Sequence, residues 1–310
     1  MSITRRLLLR ASTSPWLARQ MSDRRAIRRA VRRFLPGEEL DDAVAAGERL
    51  RAEGLRTLLT LLGENVEDAD DAVAVADAYA AAVEAIAAAG LPSDLSVKPT
   101  HLGLDLGDEV AEAGLRDVVA RAGAAGRLVA IDMESSVYVD RTLELYRRLR
   151  ADHQNVGLCL QAYLYRTEAD LASLLPLDPT IRLVKGAYRE PEDVAWPRKR
   201  DVDAAFVARA GELLDALRGD TATRVAFGTH DETMIDSIRS MASERGIERD
   251  AFEIQMLYGI RGDLQRTLAS EGYVVRVLVS YGSQWFPWYM RRLAERPANV
   301  WFVAKSLFGG

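Results

Sequence analysis

An α/β fold, a (β/α)8 barrel of TIM type, is what this 310-residue sequence predicts, and three observations lead there. From residue 55 onward, eight short β-branched or leucine-rich runs alternate with longer segments of helical periodicity. Several of the runs, such as RLVAID, NVGLCLQAY and TRVAFGTH, are continuously apolar, as parallel strands covered on both sides should be. No GxGxxG or GxxxxGK occurs, so the glycine-rich phosphate turn of a doubly wound open sheet is missing, and eight units is the number that closes a barrel.

The strand runs fall at 55–62, 95–99, 128–133, 156–162, 181–186, 223–229, 252–257 and 273–279. Helical segments lie between them, at 69–90, 108–123, 138–152, 167–175, 200–218, 231–245 and 262–271, and a final one at 284–295 is expected over the barrel mouth. Residues 1–54 are read as a basic arm and extra N-terminal helices, and residues 55–310 as the catalytic barrel. With 48% hydrophobic and 28% charged residues, the composition is that of a globular protein with a large core. A net charge of −5 excludes a general nucleic-acid coat.

Cys159 is the single cysteine, so neither an internal disulfide nor a thiolate zinc site can form, and a reducing, cytoplasmic setting is the default. His101, His153 and His230 show no ligand spacing, and no metal site is expected. The arm is different from the body: residues 1–34 carry ten arginines against Asp23, a charge of +9 that leaves −14 for the rest. Three readings of it are open: a helical arm packed on the acidic body, a contact with anionic lipid headgroups, and an organellar presequence. No run of about 18 uncharged apolar residues is present to span a bilayer.

Barrels of this kind place their chemistry at the carboxyl ends of the strands. There the sequence puts Glu64, Lys98, Asp132 with Glu134, Gln161, Lys185 with Tyr188, His230 with Asp231, Gln255 with Tyr258, and Tyr281 with Ser283. Lys98 in SVKPTH and Lys185 in RLVKGAY end apolar strands, where an ammonium needs a carboxylate, a phosphate or a carbonyl substrate. Either lysine could pair with Asp132 or Glu134, or serve a Schiff-base lyase. Gly186 and Ala187 leave room beside Lys185 for a ligand, so that lysine reads as one that steers an anion. His230 by itself reads as a hydrogen-bonding group. In WFPWYMRRLAERPANVWF, Arg291 and Arg292 supply forked donors suited to a carboxylate at the mouth after strand eight, although a solvated amphipathic helix would have the same spacing.

Taken in order, SVKPT, AIDMES, LQAYLYR, RLVKGAY, FGTHD, FEIQMLYG, RVLVSYG and MRRLAERPAN resemble the flavin-dependent proline dehydrogenase family in its monofunctional bacterial form, from about residue 55 to 305. The resemblance implies a barrel that holds FAD non-covalently, oxidises L-proline to Δ1-pyrroline-5-carboxylate by hydride transfer, and passes electrons to a membrane quinone, with peripheral membrane contact. It implies a carboxylate clamp of Arg291 and Arg292 with Lys98 beside it, oriented by Asp132. Tyr188 and Leu257 would line the substrate pocket, and Glu64 would pair with Arg291 as a gate. The flavin would be held by Gln161, Arg182, Val184, Lys185, Gly186, Ala187, Thr229, His230 and Glu295, with Phe302 against its outer part, and Arg182 or Lys185 would stabilise its reduced form.

Leu278 and Trp288 stand where the family usually has tyrosines against the proline ring, so a different cyclic amino acid is an alternative substrate. A barrel that only binds an amino acid or a membrane partner is the non-catalytic alternative.

Overall fold

In the computed structural model, residues 31–219 and 223–286 are described. Helix α1 (Leu40–Ala52) leads into β1 (Arg56–Leu61), and the chain then alternates through α2 (Ala69–Ala88), β2 (Ser93–Val97), α3 (Asp108–Ala124), β3 (Val129–Ile131), α4 (Val139–Asp152) and β4 (Val156–Gln161). It continues with α5 (Thr167–Leu174), β5 (Thr180–Val184), α6 (Lys199–Leu217), β6 (Arg224–Gly228), α7 (Glu232–Glu244), β7 (Glu253–Leu257), α8 (Gly262–Ser270) and β8 (Val274–Tyr281). The strands are parallel, pair in sequence order and close when β8 pairs with β1. The predicted barrel is therefore present, with strand ends displaced by at most two residues; Lys98, for example, lies just beyond β2.

Alternation within the strands organises the core. Outward-facing residues such as Leu59, Val97, Ile131, Leu158, Ile181, Phe227, Ile254 and Val277 are buried beneath the helices, and each such side chain contributes about 1.5–3 kcal/mol. Their intervening neighbours face the barrel axis, where regular barrels carry bulky branched residues. Here they include Asp94, Ser96, Cys159, Arg182, Gln255 and Arg276. The continuous apolar reading of these strands thus holds for the helix-facing side only.

Charge inside the barrel is paired across it. Arg276 on β8 donates to both carboxylate oxygens of Glu253 at 2.7 and 2.8 Å and to Thr57 O at 2.9 Å, and it meets Asp94 at 2.9 Å. The small residues Ala130, Gly157 and Ala226 leave a cavity of about 220 Å³ toward the amino-terminal ends of the strands, also lined by Arg56, Arg224 and Asp250. That cavity lies away from the strand ends where barrels do chemistry.

Helix α1 packs on β8 and β1. It fills the wall position that a helix after β8 takes in a regular barrel. The chain beyond β8 instead reaches the segment before α1, where Trp285 Nε1 donates to Glu38 Oε1 at 3.2 Å. Among the described residues no helix is long and apolar enough to cross a membrane.

Exchanging Arg276 for Met leaves Asp94 and Glu253 in the barrel without their counter-ion. Urea unfolding should record a loss of about 3–5 kcal/mol, and the triple variant D94N/E253Q/R276M, which removes the three buried charges and leaves the exposed Arg56, should recover most of it.

Candidate active site

At the carboxyl ends of β1 to β3 a hydrogen-bonded chain positions two opposite charges. Lys98, just past β2, is met by Glu64 of the β1–α2 loop at 3.2 Å. The loop holding Glu64 is tied down through Thr100, whose Oγ1 accepts the Asn65 N–H at 3.1 Å and whose carbonyl accepts Val66 N–H at 3.3 Å. Thr100 is held in turn by Glu134 after β3, which accepts its N–H at 3.0 Å and its hydroxyl at 2.7 Å. Burial pushes the Glu134 carboxyl up to about 6 in spite of those bonds and of nearby Lys98. Beneath the loop, buried His101 is pushed down to about 4, by burial first and by Lys98 second.

Deeper in the mouth, Asp132 at the end of β3 accepts the Ser96 hydroxyl at 2.6 Å and pairs with Arg182 of β5. Arg182 also donates to Ser96 Oγ at 3.2 Å. Burial opposes the guanidinium charge, but Asp132 and Cys159 together offset it and hold Arg182 above its ordinary range. Next to it on β4, burial raises the Cys159 thiol. Gln161, 2% exposed at the end of β4, gives its Nε2 to Met133 O at 3.1 Å, while its Oε1 has no partner among the described residues.

The third group lies after β5, β6 and β7. Lys185 Nζ is gripped by Asp203 of α6 at 2.5 Å and Asp231 at 2.9 Å. Lys185 draws Asp231 below the carboxylate range, and together with Lys199 it does the same to Asp203 against the effect of burial. Gly186 has φ +115, and a Cβ there would fall 2.3 Å from the Tyr163 ring, so only glycine lets that ring pack against this backbone. Thr229 Oγ1 accepts the Asp231 N–H at 3.1 Å. His230 Nε2 accepts the Leu257 N–H at 2.8 Å, which makes it an acceptor nitrogen and joins the end of β6 to the end of β7. Leu257 pairs in register with Leu278 of β8.

Lys98, Glu64, Asp132, Gln161, Arg182, Val184, Lys185, Gly186, Ala187, Tyr188, Thr229, His230, Leu257 and Leu278 thus lie at, or face, one end of the barrel. Trp288, Arg291, Arg292, Glu295 and Phe302, together with arm residues 1–30, lie outside the described residues. Three expectations need correction. The lysines pair with neither Asp132 nor Glu134, because Arg182 takes the first and Thr100 the second. Lys185 is enclosed by two carboxylates and does not present a bare charge to an anion. Gln255 is not at the mouth; it lines the inner cavity and donates to Glu253 at 3.1 Å.

Sequence reasoning missed Ser96, Thr100, Asp203 and Gln265. Inward-facing Ser96 had a signal, a polar residue two before Lys98 in a strand, whereas Asp203 and Gln265 are ordinary helix residues that only the fold brings to the site. Among the described residues no group of three or more His, Cys, Asp or Glu could hold a metal ion.

The donor set suits a large planar cofactor with ring N–H and carbonyl groups. Gln161 Oε1 is a buried acceptor without a partner among the described residues, and Arg182 is a fixed cation on the neighbouring strand. Residues 43–305 match the family described as proline dehydrogenase. Proline dehydrogenase 1 of Bacillus subtilis is 40% identical over 280 residues, which are 90% of this chain and 91% of that one. The proline dehydrogenase of Deinococcus radiodurans is 40% identical over 283 residues, 90% of each chain. Among solved structures, proline utilization A from Bdellovibrio bacteriovorus, inactivated by N-propargylglycine, superposes with a TM-score of 0.80 at 24% identity. That match covers 86% of this chain and 32% of that longer protein, and shows the common barrel.

The two buried titrating groups have opposite effects on stability. Glu134 takes up its proton more readily when folded, so it favours folding below pH 4.5 and loses that contribution as pH rises through about 6. His101 resists protonation when folded, so its contribution is complete above pH 6.5 and lost as pH falls toward about 4. In urea titrations, Glu134→Gln should lose about 2 kcal/mol relative to the parent as pH is lowered across the first window. His101→Gln should gain about 3 kcal/mol relative to it across the second.

Proposed function

Because the chain belongs to the proline dehydrogenase family, we propose that it oxidises L-proline to Δ1-pyrroline-5-carboxylate with FAD bound at the carboxyl end of the barrel, and that the electrons pass on to a quinone. The observation that carries this reading is the convergence at one barrel end of a cationic Lys98, an Arg182–Asp132 pair and the unpartnered Gln161 amide oxygen, in a chain that matches the family over residues 43–305.

Lys98 supplies positive charge for the substrate carboxylate, and Arg291 and Arg292 complete the clamp with forked donors. Asp132 fixes the direction of the cationic cluster through Ser96 and Arg182. Glu64, held over Lys98, forms the gate with Arg291, and Tyr188, Leu257, Leu278 and Trp288 wall the ring. On the cofactor side Gln161, Arg182 and Thr229 provide polar contacts, and His230 couples these contacts to the substrate wall through Leu257. Val184, Gly186 and Ala187 give a backbone edge, Lys185 secures it to α6 through Asp203, and Glu295 and Phe302 reach the cofactor from the last segment. Either Arg182, paired with Asp132, or Lys185, paired with Asp203 and Asp231, would stabilise negative charge on the ring.

When bound, the flavin supplies a two-electron acceptor for the hydride on the carbon next to the ring nitrogen. The clamp holds that carbon at reacting distance while the apolar wall excludes water. The substrate gives up one hydride and one amine proton, so its nitrogen must be unprotonated. A Schiff-base route is disfavoured, since Lys98 and Lys185 would first have to leave their ion pairs.

Contact with a membrane surface belongs to the same reading. The arm is strongly basic, and the loops after β2, β3, β4 and β5 expose Leu106, Val137, Tyr165 and Trp196 on the mouth side of the barrel.

Anaerobic titration of the flavin-loaded protein with L-proline should bleach the flavin band, faster toward alkaline pH; a spectrum unchanged at saturating L-proline would refute the reaction. Arg291→Ala should raise KM for L-proline by about 100-fold, in line with the loss of a charge-assisted bidentate contact. Removing residues 1–30, which carry eight of the ten arm arginines, should weaken sedimentation with vesicles of anionic lipid, and equal sedimentation would remove the membrane contact.

A further inference from the structure

Leu257 ends β7, and this residue and the loop that follows it are held from three sides. His230 Nε2 accepts the Leu257 N–H at 2.8 Å. Buried Gln265 of α8 donates to Leu257 O at 3.1 Å and to Ile260 O at 2.9 Å. The third hold comes from far away in sequence. Gly259, at φ +74, lies so close to the segment before α1 that a Cβ on it would fall 1.7 Å from Arg33 O and 3.3 Å from Phe34 Cα. Val31 and Leu35 anchor that segment, being 4% and 2% exposed. A few residues on, Glu38 accepts the Trp285 Nε1–H at 3.2 Å, and Trp285 and Phe286 are buried side by side just after β8.

We propose that residues 31–38 are a strap of the substrate wall: pressed on Gly259 and bonded to Trp285, they fix the β7–α8 loop and the exit of β8, and so set the position of Leu257 against a bound cyclic amino acid. Gly259 and Glu38 are positioning residues here, acting through Leu257 and Trp285. This rests on the proline-site reading given above. Only glycine satisfies both demands at 259, since any Cβ would push the strap or the loop aside and the backbone is left-handed. A shift of the wall by a fraction of an ångström changes the fit of a small ring more than it changes the reaction at the carbon already seated.

The test uses the full-length flavin-loaded protein and a proline analogue with oxygen in place of the ring nitrogen, which cannot form an imine. Gly259→Ala should weaken calorimetric binding of this analogue and raise KM for L-proline, each by about tenfold, with kcat within about twofold and flavin content unchanged. Gly272→Ala is the control. Gly272 has φ +92 but nothing within 4 Å of a Cβ, so it shares the backbone cost without the collision and should bind as the parent does. Glu38→Ala, which removes only the acceptor of Trp285, should raise both constants by about two- to threefold and serves if Gly259→Ala does not fold. Parent-like binding by Gly259→Ala, or by Glu38→Ala where the former is unfolded, overturns the strap. A parent protein that binds neither the analogue nor L-proline overturns the proline-site reading itself.

Discussion

Charge placed inside the barrel has to be paired there, and most of the site follows from that constraint. An unpaired guanidinium in a low-dielectric interior is too costly to keep. Arg182 on β5 therefore reaches across to Asp132 after β3, with Ser96 of β2 completing the contact. Three strands that are not all neighbours are locked together at the floor of the mouth. A second cluster, Arg276 with Glu253 and Asp94, does the same nearer the amino-terminal ends. Well-packed apolar residues of similar volume often stabilise as well or better. The ionic interior therefore counts for what it orients: it fixes Asp132 and Arg182 in one geometry.

From that floor, the mouth is built as a ring of loops that hold one another. Glu134 holds Thr100, Thr100 holds the β1–α2 loop, and that loop sets Glu64 over Lys98. Around the other side, Lys185 ties the end of β5 to α6 and to Asp231, Asp231 donates its N–H to Thr229, and His230 takes the backbone of Leu257. On the proposed reading, residues facing a cofactor and residues facing a substrate are thus joined by single hydrogen bonds. A displacement on one side is passed to the other through contiguous contacts, without any need for a moving domain.

The barrel was legible in the sequence because its outward face is mostly apolar: Leu158 and Leu160, Ile181 and Leu183, and Val275, Val277 and Val279 mark strands whatever lies between them. Lys98 and Asp132 were legible as charges that end such runs. What lay between was harder to read. Arg182 and Arg276 look like interruptions of a strand until the closed sheet shows the carboxylates opposite. The partner of Lys185 could not be deduced, since Asp203 is one of several acids on a helix and only the crossover after β5 brings it back. Gly259 carried no signal of its own, because its neighbour Arg33 is more than two hundred residues earlier.

The two kinds of construction differ in how freely they can vary. The charged floor is over-determined, since changing any member strands another buried charge. The apolar wall is not. Leu278 lies between Leu58 and Leu257 in register, a row of three leucines on adjacent strands with no hydrogen bond among their side chains. Volume at Leu278 can change without leaving a polar group unpaired, and shape is the only quantity it controls. On the proposed reading, recognition of the substrate carboxylate and the placement of the reacting carbon would depend on charge, and discrimination between rings on this row. A leucine at 278 would then bear on which cyclic amino acid fits best, and would leave intact the electrostatic frame that the proposed oxidation requires.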